Sequence, residues 1–514
     1  MSKLEYTPVE EIPKIHADLY RGFRTGKTKS IEYRKDQLLR LAYLLQDNKK
    51  RFEDALFADL GRPHPESVLL ELDPLIGDIK EAYGSVKKWS ATEKVRFSPK
   101  WFPMGPAIRK EPKGVALIIA PFNYPVLLLL GPFASAIAAG CAAVIKPSEL
   151  TPATSALMGE LVSKHLDQDV YRLVNGAIPE TTKLLELPWN HILYTGNGRV
   201  AKLVSHAAAE HLTPLTLELG GKSAVIIDPK CDLPTAAKRI LWGKVANAGQ
   251  ICLAPDYVLV PRQFQDTFVA ALQRAFNEFF PVDPLKAPEG TMAHVISDAH
   301  VQRLKRLLDA TRGTIAIGGQ VDAARRFIVP TVVKDVKTDD ALMSEEIFGP
   351  ILPVLPVDSV DEAIEIVNAR DHPLALYVFT TDAKFKAKVF DNTQSGAAIA
   401  NEVVIHLGVD HLPFGGIGPS GSGYTTGKFG FDTFTHLRAT IDNPSWVDKL
   451  VMSARYPPYD RGAIQKLNKM SKPTLPPRPG SRPSLLKRWP LWLILALVGL
   501  VTKVKWRSIV GSAA

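Results

Sequence analysis

Short runs of unbroken apolar sequence alternate with longer stretches of helical period, and this alternation restricts the possible fold more than any other feature of the chain. Residues 114–120, 141–145, 171–174, 191–194 and 223–227 are such runs, interleaved with helix-like stretches at 125–139, 153–165 and 200–211. A strand that is apolar on both faces must be covered on both, so the pattern predicts parallel sheet with helices packed on each side. An amphipathic helix precedes them, with Leu38, Leu41, Ala42 and Leu45 spaced as one helical face. A second alternating region, with runs at 257–260, 314–317 and 351–357, extends from Cys252 to about Gly423 and reads as a second α/β domain. The 514 residues exceed one ordinary domain, and a hydrophobic content of 46% is enough to fill the cores.

Charge is distributed unevenly. Of 63 basic and 53 acidic residues, 13 basic and a single acid, Asp460, lie from Lys449 to Ala514, which leaves the body close to neutral. Residues 443–488 are rich in proline and basic side chains and read as an extended linker. Residues 489–502 then form an uncharged apolar run followed by Lys503, Lys505 and Arg507. As a helix this run is about 21 Å long, short of the ~30 Å hydrocarbon core, so it predicts either a span of a thin bilayer or a helix lying in the interface. A helix docked on the body is the alternative. Basic residues beside an apolar segment point to anionic lipid; no basic, aromatic-studded face argues for nucleic acid. Cys141, Cys231 and Cys252 have neither disulfide-framework nor metal-ligand spacing, which indicates a reducing compartment and no metal. The acidic, apolar-poor N-terminus lacks the pattern of a signal or transit peptide.

Several residues have chemical potential that local sequence leaves ambiguous. Cys252 follows Gly249 and Gln250, which suggests a turn presenting a thiol, yet lone cysteines are commonly buried and inert. Glu218 ends a short apolar run before Gly220 and Gly221; it is either a solvated turn residue or a carboxyl of raised pKa suited to general base catalysis. Asn123 sits in a proline-flanked loop just after a predicted strand, where its amide is either a turn former or a donor to a developing oxyanion. Gly196-Asn197-Gly198-Arg199-Val200-Ala201 fits a G-x-G-x-x-A turn between strand and helix, which lets a pyrophosphate approach a helix N-terminus.

Taken together, the wording and order of these motifs resemble the aldehyde dehydrogenase superfamily from about residue 10 to residue 440. The matching elements are Ala120-Pro121-Phe122-Asn123-Tyr124-Pro125, Val144-Ile145-Lys146-Pro147-Ser148-Glu149, Leu217-Glu218-Leu219-Gly220-Gly221-Lys222-Ser223 and Gly249-Gln250-Ile251-Cys252. Glu345-Glu346-Ile347-Phe348-Gly349-Pro350 and Pro413-Phe414-Gly415-Gly416 complete the set. Tyr194-Thr195-Gly196-Asn197, the segment 427–436 and the apolar tail resemble the class 3 branch, which includes membrane-bound fatty aldehyde dehydrogenases.

The resemblance implies a Rossmann-like NAD-binding domain over residues 1–219, with a bridging segment near 98–112, and a catalytic domain over 220–422. A bridging and oligomerisation segment follows at 423–445, then the linker at 446–488 and a membrane-anchoring helix at 489–510. It implies Cys252 as nucleophile, Glu218 as general base, and the Asn123 amide with the Cys252 backbone N–H as oxyanion hole. Lys146 and Glu149 would hold the adenosine ribose, Gly196 would lie by the pyrophosphate, Glu346 would hold the nicotinamide ribose and Phe348 would rest against the nicotinamide. Ala201 stands where the family commonly has glycine. NAD is implied over NADP, since Glu149 would repel a 2′-phosphate, although NADP stays possible. The implied reaction is oxidation of medium- and long-chain aliphatic aldehydes to acids by a homodimer. The implied location is the cytosolic face of the endoplasmic reticulum or mitochondrial outer membrane. Alternatives are broader or aromatic aldehyde specificity, an acylating enzyme using coenzyme A, or a non-catalytic membrane scaffold; Glu218 argues against the second, and the presence of Asn123, Glu218 and Cys252 against the third.

Overall fold

The computed structural model describes residues 4–98, 101–471, 475, 476, 478 and 479. Residues 1–96 and 106–440 cluster as one compact unit; the described parts of 97–105 and of the chain from 441 onward form another.

In the first unit the strands Val115–Ile119, Ala142–Lys146, Tyr171–Leu173, His191–Thr195 and Leu215–Glu218 pair in parallel. Numbered along the chain, they lie in the order 5-4-1-2-3, the mononucleotide-binding arrangement of a doubly wound sheet. The first two strands and that of His191–Thr195 are buried along their whole length, as their unbroken apolar character requires. Helix Leu127–Ala139, apolar all round, is buried against them; its alanines and Gly131 allow close approach from several sides. The order reverses between Val115–Ile119 and His191–Thr195, which opens a crevice beyond their C-terminal ends.

A seven-stranded sheet follows, in the order Thr314–Ile317, Thr331–Lys334, Ile351–Val357, Tyr257–Pro261, Ala224–Ile227, Ala375–Phe379, Ala397–Ala400. One expectation changes here. The run at 223–227, grouped by sequence with the earlier strands, pairs with Tyr257–Pro261 and Ala375–Phe379 and so belongs to the second sheet. Thr314–Ile317, read from sequence only as an apolar run of the second domain, is an antiparallel, half-exposed edge strand. The pair Gly421–Ser422 returns to the first sheet, antiparallel to Leu215–Glu218. A three-stranded antiparallel sheet joins Glu93–Lys94, Ala107–Pro112 and Thr435–Thr440.

In the second unit the extended linker expected from residue 443 gives way to helix. Short helical turns cover Ser445–Val447 and Asp448–Met452, and an α-helix covers Arg461–Ser471. The linker's prolines lie on either side of this helix, Pro444, Pro457 and Pro458 before it and the others beyond Ser471, whereas residues 461–471 contain none, and the Asp460 carboxylate caps the helix by accepting from the Ala463 N–H at 2.6 Å. The apolar run at 489–502 lies outside the described residues. Among the described residues no helix is long and apolar enough to cross a membrane.

Candidate active site

The C-terminal ends of the first sheet's strands gather most of the residues singled out by sequence. Asn123 follows Val115–Ile119, Lys146 ends its strand, Gly196 follows His191–Thr195, and Glu218 ends Leu215–Glu218. Gly196 donates its N–H to the Glu218 carbonyl at 3.0 Å, which ties two of these ends together. Glu218 is 4% exposed, and neither carboxylate oxygen has a hydrogen-bond partner among the described residues. Burial alone pushes its pKa well above the usual carboxylate range. An unpaired carboxyl held in this way costs fold stability and is chemically suited to take a proton from water or substrate.

Cys252 is presented by an unusual turn. Asn247, Ala248 and Gly249 all have positive φ, at 50°, 53° and 70°, which for the two non-glycine residues costs roughly 1–2 kcal/mol each. A Cβ on Gly249 would run into the Gly349 carbonyl, so glycine is required there. The strain is held by buried hydrogen bonds. Gln250 donates to the Asn247 and His294 carbonyls at 3.0 and 3.1 Å and accepts from the Ile296 N–H at 2.9 Å. Burial first, then the carboxyls of Glu346 and Glu218, push the Cys252 thiol up to about 12. A nearby base or a positive charge must therefore act before it becomes a thiolate.

Sequence reasoning missed the group that joins the Asn123 and Cys252 loops. Arg62, fully buried, donates through Nε to Asn247 Oδ1 at 3.0 Å, through one terminal nitrogen to Glu71 and through the other to the Asn123 carbonyl. Asn247 Nδ2 also reaches the Asn123 carbonyl, at 2.9 Å, and the Gln250 carbonyl at 3.2 Å. Glu71 accepts from the N–H groups of Val126 and Leu127 at 2.7 and 3.0 Å. The Asn123 backbone is thus clamped while its side-chain amide has no hydrogen bond among the described residues. The only sequence signal was an arginine and a glutamate nine residues apart at the end of a helix, which carries no spacing rule.

The residues expected to hold a dinucleotide lie along the same edge. Lys146 is 4% exposed, and its Nζ lies 3.1 Å from Glu149 Oε2, a donor and acceptor placed together as ribose hydroxyls require. Asn197 caps helix Gly198–Glu210 by accepting from the Val200 N–H at 3.0 Å. A Cβ on Gly198 would meet nothing within 4 Å, so open space fronts this helix N-terminus, as a pyrophosphate needs. Ala201 is buried at 3% exposure, its methyl inside the helix packing and away from that space. The Glu346 carboxylate lies against Gly220, where any side chain would displace it; burial and Asp256 raise it to about 8. Phe348, with φ of 46°, stacks edge to face on Phe122 at 5.9 Å. Lys244, which sequence reasoning also missed, is buried with Nζ 4.0 Å from Asp256 and is pushed down to about 8 by burial. These residues fit NAD(P).

A cavity of about 290 Å³ brings Cys252 and Glu218 to one wall. Leu127, Leu128, Leu253, Leu374 and Phe414 give it an apolar lining, and Val404 and Thr426, both at positive φ, shape it with strained backbone. Lys146, Glu149, Gly196, Glu346 and Phe348 are not part of that lining.

The sheet order, the thiol and the unpartnered carboxyl suit a cysteine-dependent dehydrogenase, and comparison with known proteins gives the family. Residues 2–440 match the model of the aldehyde dehydrogenase family, and the chain belongs to that family. Within it the chain falls in the family 3 branch. It is 42% identical over 446 residues to mouse aldehyde dehydrogenase family 3 member A2, covering 87% of this chain and 91% of that one. It is 38% identical over 501 residues to the Neurospora crassa beta-apo-4'-carotenal oxygenase, covering 97% and 93%. A structure of the substrate-bound state of Staphylococcus aureus AldH superposes with a TM-score of 0.86 at 38% identity, covering 89% of this chain and 99% of that one. The protein is an enzyme that oxidises aldehydes with NAD or NADP.

Proposed function

We propose that this enzyme converts medium- and long-chain aliphatic aldehydes to carboxylic acids at Cys252, working at a membrane surface. The observation that carries the reading is the leucine-lined cavity ending on Cys252 and Glu218, which suits an extended apolar chain with its carbonyl at the thiol.

Cys252 gives up its thiol proton to solvent, and the thiolate Sγ attacks the carbonyl carbon to form a thiohemiacetal anion. Its oxyanion accepts from the Asn123 amide and the Cys252 N–H, each worth roughly 3 kcal/mol by analogy with other oxyanion holes. NAD(P), when bound, supplies the acceptor for the hydride that leaves this carbon. Glu218, ionised, takes a proton from a water that attacks the resulting thioester, and the acid departs as the Cys252 thiol is restored. Lys146 and Glu149 hold the adenosine ribose, the N-terminus at Gly198 with Gly196 takes the pyrophosphate, and Glu346 and Phe348 orient the nicotinamide end.

The apolar, basic tail supports a membrane anchor that keeps the catalytic body on the cytosolic side of the endoplasmic reticulum or mitochondrial outer membrane. A homodimer is supported by two strands that end their sheets, Ala397–Ala400 and Thr435–Thr440, since each leaves an edge open to pairing with a second copy. One further substrate has specific support: the relative named for β-apo-4'-carotenal aligns over 97% of this chain, so a long isoprenoid aldehyde is the alternative. A panel of straight-chain, aromatic and isoprenoid aldehydes, assayed with NAD and with NADP, tests the reading. Efficiency should climb with chain length, and a profile that peaks at short or aromatic aldehydes would sink it.

A further inference from the structure

We propose that Asp78 and Asp410 make the aldehyde cavity a charge filter, which admits aldehydes whose far end is neutral or cationic and turns away those whose far end is a carboxylate. The inference rests on the reading of that cavity as the aldehyde site.

Both side chains line the cavity that holds Cys252 and Glu218. Asp78 is half-buried on helix Asp73–Trp89, and Asp410 is exposed just after the turn Ile405–Gly408. Leu69 and Ile405, also in the lining, are 68% and 48% exposed, so this end of the cavity is its mouth. Neither aspartate has an ion-pair partner among the described residues. Glu81, one turn further along the Asp78 helix, is a third carboxylate, with His411 Nδ1 3.3 Å away. Burial, then the charges of Glu81 and Asp410, raise Asp78 to about 7, so it carries its full negative charge only above neutral pH.

Such a mouth discriminates by charge. Behind it the walls are leucine, valine and phenylalanine, whose low polarizability leaves the carboxylates poorly screened. An aldehyde seated with its carbonyl at Cys252 carries its other end back toward Asp78 and Asp410. A methyl end meets no penalty, a quaternary ammonium is attracted, and a carboxylate is repelled by the like charge of Asp78 and Asp410. For neutral aldehydes the filter adds no contact and acts only by excluding the anionic class.

Two measurements test it on the whole enzyme. In the first, kcat/KM is compared for three aldehydes of one chain length, ending in methyl, carboxylate or trimethylammonium, at low and high salt and at a pH well above 7, where Asp78 is ionised. The carboxylate should fall about tenfold or more below the methyl compound at low salt, with the gap narrowing as salt rises. Asp78→Asn/Asp410→Asn should close most of it, and Asp410→Asn alone, on an exposed loop, part of it. In the second, the alkylation rate of Cys252 by iodoacetate is divided by that by iodoacetamide, with NAD present and the modified peptide followed by mass spectrometry. That ratio should rise several-fold in the double variant. Ratios that neither salt nor the substitutions move would overturn the filter while aldehyde turnover stands. A chain that alkylates as expected yet oxidises none of the aldehydes would overturn the aldehyde reading and leave the filter in place.

Discussion

Arg62 and Asn247 meet at 3.0 Å, Nε to Oδ1, with both side chains fully buried. The contact links the turn that presents Cys252 to the loop that carries Asn123, because the same guanidinium also holds the Asn123 carbonyl. Two backbone segments more than a hundred residues apart in sequence are therefore set against each other by one planar, three-way donor.

Arg62→Lys keeps the charge opposite Glu71 but loses the fork, since an ammonium cannot serve three fixed acceptors in one plane. We expect kcat to fall about 10- to 100-fold with the KM for NAD little changed, because a displacement near 1 Å at the reacting atoms costs about that much. Steady-state kinetics check it, with NAD binding as the control; loss of NAD affinity in step with kcat would mean general unfolding of the site.

Turnover limited by thioester hydrolysis should rise with pH through the raised pKa of Glu218, because the base works only when ionised. The same shift fixes a stability trend. Protonated Glu218 is the form that the folded state favours, so stability is lost as pH climbs from the unfolded value of about 4.3 toward the folded one. Glu218→Gln does not titrate, and its Tm should exceed that of the wild type by a margin that widens with pH. Thermal melts across pH read this directly, and a constant margin contradicts the buried, unpartnered carboxyl.

Removing the acid beside Lys146 should relax cofactor choice. With Glu149 Oε2 3.1 Å from Lys146 Nζ, a 2′-phosphate near this pair meets one positive and one negative group. Glu149→Ala leaves the positive group alone, and the kcat/KM ratio of NADP to NAD should rise about tenfold. A ratio that stays fixed places 2′ recognition elsewhere.

Deleting residues 489–514 removes the uncharged apolar run with Lys503, Lys505 and Arg507. Burial of such a run at ~25 cal/mol per Å² outweighs about 1 kcal/mol per basic residue at an anionic surface. The truncated enzyme should therefore be released from membranes, keep its rate on short soluble aldehydes and lose efficiency on long ones presented in bilayers. Carbonate washing of the intact protein and the long-to-short activity ratio of the truncated form are the readouts.

Residues acting through their own segment were legible in sequence; residues acting across segments were not. Val115–Ile119 and His191–Thr195 declare themselves because strands buried on both faces must be apolar throughout. Ala397–Ala400 did not, since an alanine-rich run suits a helix as well as an edge strand, and its place is set by pairing with Ala375–Phe379. Glu218 and Cys252 came from motifs whose spacing lies within one turn. Arg62, Glu71 and Lys244 did not, because burial and distant partners give them their meaning. The helix Arg461–Ser471 was obscured by prolines that flank it on both sides.

The central claim is that Cys252 carries the acyl group and Glu218 releases it. Glu218→Gln keeps the shape of the side chain and cannot take a proton from water, so mixing it with NAD and a long-chain aldehyde should give a burst of about one NADH per site and then slow turnover. Mass spectrometry of the quenched enzyme should find the acyl mass on the Cys252 peptide and none on Cys141 or Cys231. A burst-free trace, or acyl mass on another cysteine, would contradict the account.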